Sequence, residues 1–145
     1  MLLTELLHPG ILQALAGTGH GARVLLADGH YPASTAIGER AQVVHLNLRP
    51  GLLDVSTVLD VLLRAIPVES AQVMVPPDSE PEPQAIGEYR SMLAPAPVEP
   101  LGRFEFYNAA YSPDLALAVV TADLRTYANL LLTIGVRAEG TLRTS

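Results

Sequence analysis

The chain has 145 residues, a formal net charge of −6, no cysteine and no lysine. These counts exclude disulfides, thiolate metal sites and lysine Schiff-base chemistry, and the lack of a basic cluster argues against a nucleic-acid partner. Because 49% of the residues are hydrophobic and only 17% are charged, we expect one domain, residues 1–145, with a sizeable core and further apolar surface covered in an oligomer.

The sequence also lacks the common signatures of membrane spans and cofactor sites. No apolar run reaches the ~18 residues that a membrane span needs. The first residues carry Glu5 and no positive charge, so we expect no signal peptide and a cytoplasmic protein. No glycine-rich dinucleotide fingerprint follows a strand, and no histidine pair has helical spacing. We therefore expect neither a cofactor nor a metal.

Hydrophobic spacing and turn residues predict alternating helices and strands. The first half is predicted to hold a helix opened by His8-Pro9-Gly10 and ended by Gly17, the strand Val24–Ala27, a short helical turn at Ser34–Gly38, the strand Val43–Leu48 and the helix Asp54–Ile66. The second half is predicted to hold the strand Ala71–Val75, an acidic loop at Pro76–Pro83, the helix Gln84–Leu93, a Pro-rich connection at Ala94–Pro97, and the strands Leu115–Thr121 and Leu130–Ile134. Arg103–Ala110 is ambiguous, since its alternation favours a strand and its end a helix; the tail is expected to fray beyond Arg137.

Most of these strands are apolar on both faces, which predicts an α/β fold. We expect a three-layer sandwich, with a mostly parallel sheet and helices on both faces. In such sheets, binding sites lie beyond the carboxyl ends of the strands.

The strand Val24–Ala27 has candidate chemistry at both ends. His20 lies before it, between two glycines, while Asp28 and His30 follow it on a turn. Two imidazoles and a carboxylate are suited to proton transfer near neutral pH. The alternative is a plain Asp-Gly turn with solvated histidines, and His45, within an apolar strand, is interpreted as structural.

The order of several short motifs resembles that of a known family. The motifs are Gly19-His20-Gly21, Asp28-Gly29-His30-Tyr31-Pro32-Ala33, Arg103-Phe104-Glu105-Phe106-Tyr107, and Tyr127-Ala128-Asn129 before the last strand and Gly135. Together they resemble the family that contains L-fucose mutarotase and D-ribose pyranase, and they are closer to the fucose branch.

The resemblance implies an enzyme that interconverts sugar anomers or ring forms without a cofactor. It implies that His20 is the proton donor and that the sugar is bound by Asp28, Arg103, Tyr127 and Asn129. His30 and Tyr107 are further candidates for the pocket, and whether His30 is catalytic or structural stays open. The resemblance also implies ring-shaped homodecamers in which a neighbouring subunit completes each site.

Three functions remain open at this stage. The first is a mutarotase acting on L-fucose or a related sugar, with Tyr31, Phe104 or Tyr107 as a wall for the methyl group of a 6-deoxy sugar. The second is a D-ribose pyranase, and the third is a non-catalytic sugar-binding accessory protein. Two segments depart from the family pattern. Tyr111–Asp114 is longer, and Ala122-Asp123-Leu124 replaces Gly-Glu. We expect both to lie near the pocket.

Overall fold

A computed structural model describes residues 1–140 of the chain. Part of the tail that was expected to fray, residues 141–145, lies outside the described residues. The strands are β1 (Arg23–Ala27), β2 (Gln42–His45), β3 (Val68–Met74), β4 (Val98–Leu101), β5 (Leu115–Val120) and β6 (Leu130–Ile134). The helices are α1 (Pro9–Ala16), α2 (Val55–Leu63), α3 (Gln84–Leu93) and α4 (Arg103–Ala110).

The six strands form one sheet in the order β2-β5-β1-β6-β3-β4. β6 pairs antiparallel with both β1 and β3, and the other strand pairs are parallel. The last of the six described strands therefore lies inside the sheet, between two strands that run the opposite way. This position explains its unbroken apolar start, since Leu130, Leu131 and Leu132 are completely buried.

Helices cover the sheet on both faces, so the predicted α/β class and mostly parallel sheet are confirmed. One face packs against α1, α2 and α3, through Ile11, Leu59 and Ile86 among others. The other face packs against α4 through Phe106 and Ala110. Because successive strand residues alternate between faces, Leu26 belongs to the first cluster and Leu25 to the second.

Local capping explains where two of the helices begin. The His8 imidazole accepts hydrogen bonds through Nδ1 from the N–H groups of Gly10 and Ile11, at 3.1 and 3.3 Å, and caps α1. The Asp54 carboxylate accepts the N–H of Thr57 at 2.7 Å and caps α2. Among residues 1–140, no helix is long and apolar enough to cross a membrane.

The structure adds one strand that was not predicted and assigns the one segment that the sequence left ambiguous. Val98–Leu101 follows the predicted connection at Ala94–Pro97 and forms β4, which tolerates Pro100 because it lies at the edge of the sheet. The ambiguous segment Arg103–Ala110 is a helix, α4. It buries Phe106 and Ala110, which are four residues apart, and leaves Phe104 exposed.

Candidate functional site

A cavity of about 190 Å³ lies at the end of the sheet where the parallel strands finish. We call it the site cavity; its lining residues are Asp28, His30, Tyr31, Met74, Arg103, Tyr107, Thr126, Tyr127 and Asn129. The topology explains this grouping, because β1, β3 and β4 finish at this end of the sheet and β6 begins there. The volume is below the roughly 300–1,000 Å³ of sites for drug-sized ligands, so a small solute is the suited occupant.

Asp28 is the central acidic group of the site cavity and is only 2% exposed. Its Oδ1 accepts the N–H of His30 at 2.9 Å, and its Oδ2 accepts the N–H of Ala128 at 3.2 Å. Burial raises the pKa of the Asp28 carboxyl, and the two N–H groups offset this effect only in part. Each carboxylate oxygen keeps a second lone pair, so the group can also accept hydrogen bonds from a ligand.

Asn129 is fixed with its amide nitrogen free for a ligand. Its Oδ1 accepts the backbone N–H of Asp28 at 2.8 Å. This bond identifies the oxygen, so the nitrogen is the other end of the amide. Nδ2 lies 4.0 Å from the Met74 Sδ, a weak contact. A hydroxyl group of a ligand is therefore a better acceptor for Nδ2 than the thioether.

Aromatic rings and a guanidinium also line the site cavity. Arg103 Nε donates to the Tyr107 hydroxyl at 3.1 Å, one helical turn away. The Arg103 Cζ also lies 5.7 Å from the centroid of each of two rings, those of Phe104 and Tyr107. Tyr107 in turn packs edge-on against Tyr31, at 5.5 Å between centroids. Arg103 thus has a defined direction, with its other N–H donors available to hydroxyl groups.

Tyr127 has an unusual backbone conformation. Its φ is 58°, in the left-handed region, which costs a non-glycine residue about 1–2 kcal/mol. The next residue stabilises it, because the Ala128 N–H binds Asp28 and the Ala128 carbonyl accepts the Tyr89 hydroxyl at 2.8 Å. Such strain persists only where the surroundings enforce it, and here it brings an aromatic side chain to the cavity wall.

His30 is oriented by two bonds. Its backbone N–H binds Asp28, and its Nε2 lies 3.1 Å from the Leu124 carbonyl. Since a carbonyl only accepts, Nε2 carries a proton and Nδ1 is the nitrogen left for other partners. Burial raises the pKa of the neighbouring Tyr31 hydroxyl, which donates to the Ala36 carbonyl at 2.7 Å.

His20 is the predicted site residue that lies elsewhere. It precedes β1, whereas Asp28 follows it, and a five-residue strand spans about 13 Å. Its Nε2 pairs with Glu69 Oε2 at 2.8 Å, at the opposite end of the strands from the site cavity. Within one chain, His20 therefore does not line the site cavity, while Asp28, His30, Arg103, Tyr107, Tyr127 and Asn129 all do.

Of the two segments that depart from the family pattern, Ala122-Asp123-Leu124 lies next to the site cavity as expected, because the Leu124 carbonyl binds His30. The other segment lies away from the cavity, contrary to expectation. Tyr111–Asp114 precedes β5 and lies at the opposite end of the strands from the cavity. There the Asp114 carbonyl accepts the N–H of Arg23, the first residue of β1. Asp123 is buried beneath the loop and accepts the N–H of Val55 at 3.0 Å. Burial alone would raise the pKa of Asp123, but hydrogen bonds from Arg125 and Val55 outweigh it and keep this pKa below its usual range.

Sequence reasoning did not select two of the lining residues, Met74 and Thr126. Met74 ends β3 and Thr126 precedes Tyr127. The signal for Met74 was its place at the carboxyl end of a parallel strand. Within residues 1–140, no group of three or more His, Asp or Glu residues is arranged to hold a metal ion.

Comparisons with known proteins agree with this architecture. The model of the RbsD / FucU transport protein family matches residues 1–137. Fucose mutarotase of Homo sapiens is 36% identical over 147 aligned positions, covering 92% of this chain and 91% of the relative.

Two solved structures share the fold. RbsD of Bacillus subtilis complexed with D-ribose has a TM-score of 0.81 at 21% identity and covers 95% of this chain and 100% of its own. The fucose mutarotase of Streptococcus pneumoniae in complex with L-fucose has a TM-score of 0.75 at 23% identity, with coverages of 90% and 94%. These identities support the fold alone; together with the family match over almost the whole sequence, the conclusion is that the chain belongs to the RbsD / FucU family.

Proposed function

We propose that the protein is a cofactor-independent sugar mutarotase, an isomerase that interconverts the anomers of L-fucose or a related monosaccharide. The observation that carries the proposal is the site cavity, which joins Asp28 and Asn129 to Arg103 and Tyr127. A cavity lined by both hydrogen-bonding groups and aromatic rings suits a small ring with many hydroxyl groups. The similarity to fucose mutarotases over most of the chain supports the same function.

The reaction needs only proton transfers. The sugar opens when its ring oxygen gains a proton and its anomeric hydroxyl loses one, and closure on the other face reverses both steps. A positioned acid and a positioned base typically contribute ~100-fold or more each. Asp28 accepts hydrogen bonds from sugar hydroxyls, Asn129 Nδ2 and Arg103 donate to them, and an aromatic face of Tyr127 covers the ring.

In this proposal, His20 is the proton donor, and it acts in the cavity of a neighbouring copy. Within one chain, His20 and Asp28 lie at opposite ends of β1. A site that contains both residues therefore requires two chains. We propose a homo-oligomer, a decamer by resemblance, located in the cytoplasm. Several large apolar side chains are exposed and would be covered by assembly, among them Leu2, Leu3, Leu48, Phe104 and Leu124.

The sugar is proposed to be fucose rather than ribose, because part of the cavity wall is apolar. Tyr31, Tyr107 and Met74 contribute rings and a thioether to it. The methyl group of a 6-deoxy sugar would contact this wall, whereas a pentose lacks that group and forgoes about 1–3 kcal/mol.

Saturation-transfer NMR tests the function directly, because it measures anomer exchange in the free sugar. Fucose, galactose and ribose are compared at equal sugar and enzyme concentrations. We expect the fastest exchange with fucose. Faster exchange between ribose ring forms would support the pyranase function instead. No exchange with any of the sugars would contradict an enzyme and favour the non-catalytic sugar-binding protein.

The role of His20 is tested with His20→Gln, and His45→Gln is its matched control. His45 is also exposed but lies at the end of β2 and does not line the cavity. We expect the first variant to lose most exchange activity while folded and the second to keep it. Near-normal exchange in folded His20→Gln would exclude His20 as the donor.

We expect Asp28→Asn, like His20→Gln, to lose most exchange activity, because Asp28 binds the sugar hydroxyls in this proposal. Mixing the two variants then tests whether the site is shared. His20→Gln chains still supply Asp28, and Asp28→Asn chains still supply His20. After co-refolding at equal amounts, random assembly gives roughly a quarter of the sites both native groups. Recovered exchange on that scale supports a shared site, and light scattering on the same samples measures the oligomer. A monomer at micromolar concentration would contradict the assembly.

A further inference from the structure

Arg125 makes the densest set of side-chain hydrogen bonds near the site, although it does not line the site cavity. Its Nε and Nη2 form a fork on Asp123, at 3.0 Å to Oδ1 and 2.8 Å to Oδ2. Its Nη1 donates to Glu88 Oε2 at 2.9 Å, and its Nη2 donates to Ser56 Oγ at 3.3 Å. The Ser56 hydroxyl itself donates to Glu88 at 2.7 Å. Arg125 therefore connects its own loop to both α2 and α3.

The loop that Arg125 holds is residues 121–127, which we call the 121–127 loop. Asp123 anchors its middle, because the buried carboxylate also accepts the N–H of Val55 at the start of α2. A bidentate guanidinium–carboxylate pair fixes direction as well as distance. The helix side of the loop is thus attached at three places, through Val55, Ser56 and Glu88.

The other side of the same loop contacts residues 28–30, the turn that follows β1. The Asp123 carbonyl accepts the N–H of Gly29 at 2.8 Å, and the Leu124 carbonyl binds His30 Nε2 at 3.1 Å. The loop then ends in Tyr127, whose strained backbone depends on its surroundings. A shift of the loop would therefore move both His30 and Tyr127 relative to Asp28.

We propose that Arg125 is a positioning residue for the site cavity. It holds the 121–127 loop against α2 and α3, and through this loop it sets the positions of His30 and Tyr127. The inference rests on the proposed function of the cavity as a sugar site. Arg125 touches no reacting atom, so its effect on the reaction is indirect. Small displacements of groups that bind substrate can cost on the order of 100-fold in rate.

The test uses Arg125→Ala, with Arg125→Lys as a conservative variant and Arg90→Ala as a matched control. Arg90 is also on the α3 side of the molecule and pairs with one carboxylate, that of Glu82, at the surface. We expect kcat/KM for sugar exchange to fall on the order of 10-fold or more in Arg125→Ala. Arg125→Lys keeps one charge contact and should lie between Arg125→Ala and the native protein. Arg90→Ala should match the native protein.

Amide hydrogen exchange supplies a second measurement that does not depend on activity. The N–H of Gly29 is bonded to the loop, and we expect its protection to fall about tenfold in Arg125→Ala, since a loosened loop opens more often. If Arg125→Ala loses stability but keeps native kcat/KM and native Gly29 protection, Arg125 is merely structural and the inference is wrong. If Arg125→Ala does not fold, Glu88→Ala removes a single hydrogen-bond partner of Arg125 and is expected to show the same changes on a smaller scale.

The two proposals fail in different ways. Native protein that exchanges no sugar would refute the proposed function, and the Gly29 measurement would still decide whether Arg125 positions the turn. Active protein with an unaffected Arg125→Ala variant would refute only the positioning role.

Discussion

The hydroxyl of Tyr89 offers a sharp test of how the site is supported. Tyr89 lies on α3 and is 0% exposed, and its hydroxyl donates to the Ala128 carbonyl at 2.8 Å. Burial raises the pKa of this hydroxyl, which therefore remains a donor across the neutral range. Tyr89→Phe keeps the ring and removes only this donor.

The expected cost follows from the carbonyl that is left behind. Ala128 is also 0% exposed, so its carbonyl would lose its partner without access to water. A buried acceptor left unpaired costs about 1–3 kcal/mol. For a chain of this length, this corresponds to a fall in melting temperature of roughly 3–10 °C. Affinity for the sugar should fall as well, because the Ala128 N–H binds Asp28.

The assay is urea unfolding followed by far-UV circular dichroism at a fixed protein concentration, since assembly changes apparent stability. Tyr111→Phe is the control, because Tyr111 is 51% exposed and its hydroxyl meets Glu39 at the surface. We expect this control to stay within about 0.5 kcal/mol of the native protein. Equal effects of the two variants would show that the Tyr89 bond does not support the site as argued.

Four further predictions concern the backbone and pH. Gly87→Ala should stabilise the protein by about 0.5–1 kcal/mol, because the new Cβ meets nothing within 4 Å. Gly38→Ala should instead destabilise it by about 1–3 kcal/mol, since its Cβ would lie 2.4 Å from the Ser112 carbonyl oxygen; thermal unfolding measures both, and equal shifts would contradict the geometry. Tyr127→Gly should be about 1–2 kcal/mol more stable than Tyr127→Ala, because φ is 58°, while both lose sugar affinity; a more stable alanine variant in urea titrations would argue against the left-handed backbone. The lowered pKa of Asp123 contributes stability that is fully present above its unfolded value of about 4 and is lost as pH falls through the folded value. In Asp123→Asn, the free energy of unfolding should therefore fall less steeply on acidification than in the native protein. An unchanged dependence of this free energy on pH would refute the argument.

Patterns with a clear period were predictable from the sequence. The helix Gln84–Leu93 has its predicted bounds because Ile86, Tyr89 and Leu93 share one face and are buried. The strand Leu130–Ile134 was also predicted as observed. In contrast, β4 was missed because Pro97 precedes it and Pro100 lies within it, which is typical of a connecting segment. Only the assembled sheet shows that β4 is an edge strand, where proline is tolerated.

The site was predictable where it follows from strand ends. Asp28 follows β1, and the rule for parallel sheets places a site there. Local sequence does not give strand direction, however, and the antiparallel course of β6 is what brings Asn129 beside Asp28. The distance between His20 and Asp28 likewise depends on β1 being fully extended between them. The support by Arg125 was not predictable, because Glu88 lies 37 positions away in the sequence.

The central position of β6 has a consequence for how the chain folds during synthesis. β6 is the last to be made of the six strands in residues 1–140, yet it fills the gap between β1 and β3. Until Leu130–Ile134 emerges from the ribosome, both neighbouring strands have unpaired edges and an apolar surface that can associate with other chains. The sheet can therefore close only after the chain has been translated past Ile134. Ribosome-bound chains that stop before Leu130 should be protease-sensitive, whereas chains extended past Ile134 should acquire resistance in one step.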